Sequence, residues 1–180
     1  MKKIAIGLVL CVGLWYFFVG GRKLDEPMVR AFYQELAHGV YSRDAELLCK
    51  KLSRKAVIEG KTTMMGHTVE SSQNREESCE AQRKTFESFR EIGDRMGGIL
   101  TIEYEHHIDA VELAPNRKSA TVTGTSVLKM GETVMQFKTA FTHQLERELG
   151  QVRLVRSDEA TVVRMGGRGA MTQSDFFNKK

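Results

Sequence analysis

"SATVTGTSVLKMGETVMQFKTAFTHQLERELGQVRLVRSDEA", residues 119–160, decides the fold. Through it apolar and polar side chains alternate with a period of two, the repeat of a strand with one buried face. Glycines punctuate the run. "MGET" places Gly131 first in a two-residue loop of the kind a type II′ hairpin uses, and "ELGQ" places a second tight turn at Leu149-Gly150. Upstream, "APNRK" gives a longer turn, preceded by the alternating segment "ILTIEYEHHIDAVEL". Four strands are expected, over 99–112, 118–130, 133–148 and 151–165. Joined by hairpins, they form an antiparallel meander.

The turns set a register. With Gly131-Glu132 as one turn, Met130 faces Thr133; with Leu149-Gly150 as the other, Glu148 faces Gln151. Extended across the sheet, one inward row reads Ile108, Val122, Phe141, Asp158. The next reads His106, Gly124, Thr139, Ala160, and a third reads Tyr104, Ser126, Phe137, Val162. Beyond the first row lies Ala110, Ala120, His143, Arg156. The outward face carries Glu103, Glu105, His107, Asp109, Thr121, Thr123, Thr125, Lys138 and Thr161. That is a wet, threonine-rich sheet face.

Before the meander the period is helical. Pro27 stands where a helix start tolerates a missing N–H, and Met28, Val29, Phe32, Tyr33, Leu36 and Val40 follow on one stripe. Ser42 is a candidate cap for a second helix, with Ala45, Leu48, Cys49 and Leu52 on one face. "EGKTTMMGHTVESS", residues 59–72, lacks periodicity and reads as a loop. Asn74 and Glu77 have capping-box spacing, and the helix they open carries Cys79, Phe86, Phe89 and Ile92 to an end near Gly93. Helices followed by a meander is an α+β order.

The ends are different in kind. Lys2, Lys3, Arg22 and Lys23 bracket Ile4–Val19, which carries no charge. As a helix this stretch spans roughly 24 Å, to which snorkelling lysines and arginines can add. The expectation is a membrane anchor or uncleaved signal over 1–23, with residues 4–19 in the bilayer of a bacterial inner membrane and the body outside the cytoplasm. A domain follows over 24–165, then a glycine-rich flexible tail over 166–180. The four N-terminal cations account for the net charge of +4, leaving 23 basic and 23 acidic residues in the body. A neutral body without a clustered basic run argues against a nucleic-acid partner.

Cys49 and Cys79 are the cysteines of the body. In an exported chain an even pair reads as a disulfide; in a reducing compartment the same pair would be buried thiols. Both fall on apolar faces of different helices.

The order of two helices, a loop, a long helix and four long strands, with the run at 119–160, resembles the nuclear transport factor 2-like superfamily over residues 27–165. The resemblance implies a cone-shaped α+β fold; with the N-terminal stretch, the expected architecture is an N-terminal membrane helix, then three helices packed in the concave face of a curved four-stranded antiparallel sheet. The pairing of "LLC" with "SCEA" also resembles exported members whose helices are stapled. The superfamily includes isomerase- and dehydratase-type enzymes that use an Asp base with a Tyr and acid pair, or a His–Asp pair. Neither set maps residue by residue here; Asp158 with His106 comes nearest, with Tyr104 as donor. The superfamily also includes non-catalytic periplasmic domains.

Two function classes follow. One is an extracytoplasmic interaction or scaffold domain of an envelope assembly, with protein partners and scope for homo-oligomers. The other is a binder of small apolar ligands, or an isomerase/dehydratase-type enzyme, with a pocket drawn from Tyr33, Phe86, Phe89, Tyr104, His106, Gly124, Ser126, Thr139, His143, Arg156 and Asp158. No cofactor or metal is expected. His106 and His107 point to opposite faces of a strand, which separates them as ligands for one ion.

Overall fold

The computed structural model describes residues 13, 23–95, 101–131 and 135–165. Helices α1 (Glu26–Tyr41) and α2 (Ala45–Lys51) lead into strands β1 (Leu52–Met64) and β2 (His67–Asn74). Helix α3 (Arg75–Arg95) follows, then β3 (Ile102–Leu113), β4 (Ser119–Met130), β5 (Met135–Glu148) and β6 (Gln151–Met165).

The sheet has six strands in the order β2-β1-β6-β5-β4-β3 and is mixed, because β1 runs parallel to β6. This corrects the expected four-stranded antiparallel sheet. The stretch read as a loop, 59–72, lies within the β1–β2 hairpin. Its turn is Met65-Gly66, both at positive φ (51° and 84°), as a type I′ turn requires. Met-Gly is a poor turn signal. Every residue of β2 but Gln73 is exposed, so no alternation betrays the strand. An N-terminal membrane helix is not supported: among the described residues no helix is long and apolar enough to cross a membrane. Residues 4–19, Gly13 apart, and the tail 166–180 lie outside the described residues.

Local signals place the helices. Asp25 caps α1 by accepting the Met28 N–H at 2.9 Å. Asp44, rather than Ser42, caps α2 by accepting from Leu47. Asn74 and Glu77 form the capping box of α3, with reciprocal bonds of 2.9 and 3.0 Å. Gly39 lets α1 and α2 meet, since a Cβ there would stand 2.6 Å from Leu48 Cδ2. Cys49 and Cys79 form the disulfide, joining α2 to α3 with Cα atoms 5.3 Å apart. The core gathers Val29, Phe32 and Tyr33 of α1 against Val122, Leu145 and Leu154 of the sheet. Burying each such aliphatic side chain contributes roughly 1.5–3 kcal/mol.

The register differs from the sequence reading in three places. Met130 pairs with Met135, so the β4–β5 connection is two residues longer than drawn. A shift of two keeps every side chain on its expected face. Asp109 is an extra residue in β3, between the pairs Ile108–Gly124 and Ala110–Thr123; Ala110 is therefore exposed, and Val111 packs on the core instead. In β6 the pairing passes from Leu145–Leu154 to Gln144–Arg156, leaving Val155 as the extra residue. That bulge reverses the faces of the rest of the strand. Phe141 now pairs with Glu159, not Asp158, and Thr139 with Thr161, whose hydroxyls lie 2.8 Å apart. Arg156, Asp158, Ala160 and Val162, expected inward, turn to the other face.

Candidate functional site

Between the helices and the inner sheet face lies a cavity of about 370 Å³. α1 supplies Phe32, Tyr33 and Leu36; α3 supplies Ala81, Gln82 and Phe86; the sheet supplies Tyr104, Ser126, Thr139, Phe141, His143 and Glu159. The wall is mainly apolar, with polar groups at a few points.

Aromatic rings form one end of it. Phe141 and His143, two apart on β5 and thus on one face, stack with centroids 4.3 Å apart. The Tyr33 ring lies parallel to His143 at 5.9 Å and stacks on Phe141 at 5.7 Å. Gly124 makes room for Phe141, because a Cβ there would sit 2.7 Å from Phe141 Cζ and 2.4 Å from the His107 carbonyl oxygen.

A polar chain threads this stack. Tyr33 Oη lies 2.8 Å from His143 Nδ1. His143 Nε2 stands 3.6 Å from Glu159 Oε1, and the Ser157 hydroxyl donates to that same oxygen at 2.6 Å. A carboxylate beside Nε2 favours the tautomer with its proton there, so Nδ1 accepts from Tyr33. At 3.6 Å the Nε2 proton is not hydrogen-bonded to Glu159. His143 is only 7 % exposed, and Nε2 has no hydrogen-bond partner. Gln82 Oε1, on the same cavity wall, is likewise buried without a partner. Unmet buried polar atoms cost stability unless something else meets them.

The electrostatics follow from burial. Tyr33 is pushed far above the ordinary phenol range by burial, with Tyr104 and Glu159 adding to it. Tyr104 is pushed up to about 12, again first by burial, against a lowering hydrogen bond with Ser126. Both phenols are neutral donors at any physiological pH. Burial raises the Glu159 carboxyl, but His143 and Ser157 outweigh it and hold it below its ordinary value. Burial lowers the pKa of His106.

The residues expected at a pocket thus fall into three groups. Tyr33, Phe86, Tyr104, Ser126, Thr139 and His143 line the cavity. Phe89, His106 and Gly124 sit behind or beside it: Phe89 packs with Met130 in a second cluster, and His106 lies 5.7 Å from the Tyr33 ring. Arg156 and Asp158 occupy the opposite face. There Arg156 forks onto Asp158 with two bonds of 3.1 Å and also binds Glu59, an exposed network of little energetic weight. His106 and Asp158 are therefore not brought together. His107 is exposed beside Asp109. Glu159, Ser157 and Gln82 were not singled out from the sequence. The apolar pairs Leu154-Val155 and Val162-Val163 fit either parity, and that ambiguity was the available sign of a bulge in β6.

No protein family and no curated protein matches the chain by sequence. Solved structures do match by shape. A conserved protein from Planctomyces limnophilus aligns with a TM-score of 0.54 at 16% identity, covering 78% of this chain and 97% of its own. A nuclear transport factor 2-like protein of unknown function from Shewanella oneidensis aligns at 0.55 and 12% identity, covering 74% and 97%. A Caulobacter vibrioides protein with a cystatin-like fold aligns at 0.53 and 13% identity, covering 76% and 88%. On this geometry the chain has the nuclear transport factor 2-like, cystatin-like fold.

Proposed function

We propose that the domain binds a small, uncharged, mainly apolar molecule in the cavity between sheet and helices, outside the cytoplasm. The observation that carries this is the pair of unpartnered buried polar atoms, His143 Nε2 and Gln82 Oε1, on the wall of one apolar cavity. Either atom suits a ligand with an apolar body and a hydroxyl or amide group: a ligand oxygen accepts from Nε2, or a ligand proton goes to the amide oxygen. The Glu159 carboxylate beside His143 disfavours an anionic head group there. The Cys49–Cys79 disulfide supports an oxidising compartment.

The test is displacement of a neutral apolar dye by a medium-chain alcohol and by the matching alkane. The alcohol is expected to compete better than the alkane. Ala81→Trp, which fills the cavity from α3, abolishes both. Equal dye binding by wild type and Ala81→Trp would place the dye elsewhere and end the proposal.

A second reading, an interaction domain of an envelope assembly, is favoured by the β1–β2 hairpin. β2 is an edge strand, and Met65 (82 %) and Val69 (66 %) are exposed on it and its turn. Exposed apolar edges invite strand addition. A Val69→Lys variant that loses a co-purifying partner while keeping dye binding would favour this reading over the first.

A further inference from the structure

Away from the cavity, the end of the domain where the chain enters carries a broad groove of about 880 Å³. The α2–β1 junction lines it with Lys50, Arg54 and Lys55, and the β4–β5–β6 hairpin ends line it with Lys118, Arg147 and Arg153. Arg75 adds a seventh cation; Glu146 and Glu148 return two negative charges. The neutral sum of the body thus conceals a strongly basic end. Lys55 pairs with Glu146, Arg153 reaches Glu148 and Arg75 lies beside Glu76, yet cations still outnumber carboxylates at this end.

Two further features share this end. Leu149, in the β5–β6 turn at φ 49°, is 79 % exposed and belongs to the groove wall. An apolar side chain at a hairpin tip, ringed by arginine and lysine, is poorly suited to water. The chain also enters here: the Arg147 guanidinium donates to the Lys23 carbonyl at 2.6 Å, and the Leu24 N–H donates to the Arg117 carbonyl. The uncharged stretch Ile4–Val19 ends four residues before Lys23 in sequence.

We propose that this basic end rests on an anionic phospholipid surface, with the cations on headgroup phosphates and Leu149 dipping among the acyl chains. Charge alone would suit an acidic protein equally. The exposed leucine tip, with the uncharged stretch Ile4–Val19 close to Lys23 in sequence, selects the bilayer.

The experiment is co-flotation of the full chain with vesicles of mixed phosphatidylglycerol and phosphatidylcholine, and with vesicles of phosphatidylcholine alone. The readout is the ratio of the two partition coefficients, from which the charge-independent contribution of residues 4–19 cancels. Lys50→Gln, Arg54→Gln and Lys118→Gln combined should lower that ratio by about a hundredfold, at roughly fivefold per cation. A control with Lys61→Gln, Lys84→Gln and Lys129→Gln makes the same change in charge elsewhere and should leave the ratio within a few-fold of wild type. Leu149→Ser should weaken binding to both vesicle types. If the groove variant misfolds, wild-type protein decides: high salt must collapse the ratio. An unchanged ratio, an equal fall in the control, or poly-glutamate binding without vesicle binding overturns the proposal.

Discussion

Reducing the bond between Cys49 and Cys79 opens a loop with a sequence separation of 30. That loop contains all of β1 and β2. In the chain-entropy account a closed loop of about 30 residues restricts the unfolded chain by roughly 12 cal/mol/K, or about 3.6 kcal/mol at 25 °C. Both cysteines are buried, so reduction leaves two thiols in a dry site where they still pack as small apolar groups. The whole effect is then expected in the cross-link. For a domain of roughly 140 residues the unfolding entropy is near 0.3 kcal/mol/K, so Tm should fall by about 12 °C.

Differential scanning fluorimetry with and without a phosphine reductant measures this, with Cys49→Ala/Cys79→Ala as the permanently opened form. Thiol trapping supplies the internal check, since Cys11 is the third cysteine of the chain. Before reduction only Cys11 should react. A fall below about 3 °C, under roughly 1 kcal/mol, would refute the reasoning, because the loop would not be limiting the unfolded chain. Trapping of Cys49 or Cys79 before reduction would refute the bond itself.

Tyr33→Phe removes the donor to His143 Nδ1 and strands a buried nitrogen. Urea denaturation should show a loss of about 1–3 kcal/mol, and no loss would mean that the Tyr33–His143 bond adds nothing to the fold. Gly124→Ala forces a Cβ onto the His107 carbonyl and the Phe141 ring, for a loss of about 1–3 kcal/mol by the same assay. Met65→Asn puts a residue suited to left-handed backbone at an exposed turn position with φ 51°. Stability should rise by about 0.5–1 kcal/mol, and a fall would mean that the turn is not type I′.

What could be read from the sequence follows what each element buries. α1, β4 and β5 bury one face each, so their periodicity is clean, and Tyr33, Phe141 and His143 sit inward as the alternation says. The capping box at Asn74 and the turn at Leu149-Gly150 are local chemistry and equally plain. β1 and β2 were hidden because β2 faces water on both sides and β1 mixes Lys, Thr and Gly into its exposed half. Their place beside β6 is set by a parallel pairing from residues far apart in sequence, which no local pattern encodes. The basic groove was hidden for a similar reason. Its cations come from Lys50 to Arg153, dispersed along the chain and gathered only by the fold.

The single residue Val155 decides which acid faces the cavity, and acid titration can test that. Without the bulge Asp158 would stand below Phe141 and near His143; with it, Glu159 does. Both carboxyls are held below their ordinary values, Glu159 by His143 and Ser157 against burial, Asp158 chiefly by the Arg156 hydrogen bond. A lowered folded-state pKa stabilises the fold above the unfolded value and is lost as pH falls through the folded one. Asp158 lies at an open surface, where solvent screens the pair and its share is small. Glu159 faces the buried ring, so its share is the larger. Stability measured from neutral pH down through the ordinary glutamate pKa of 4.5 should therefore fall less steeply in Glu159→Gln than in wild type. Asp158→Asn should follow the wild-type curve closely. If Asp158→Asn flattens the curve and Glu159→Gln does not, the extra residue in β6 is misplaced, and Asp158 is the acid beside His143.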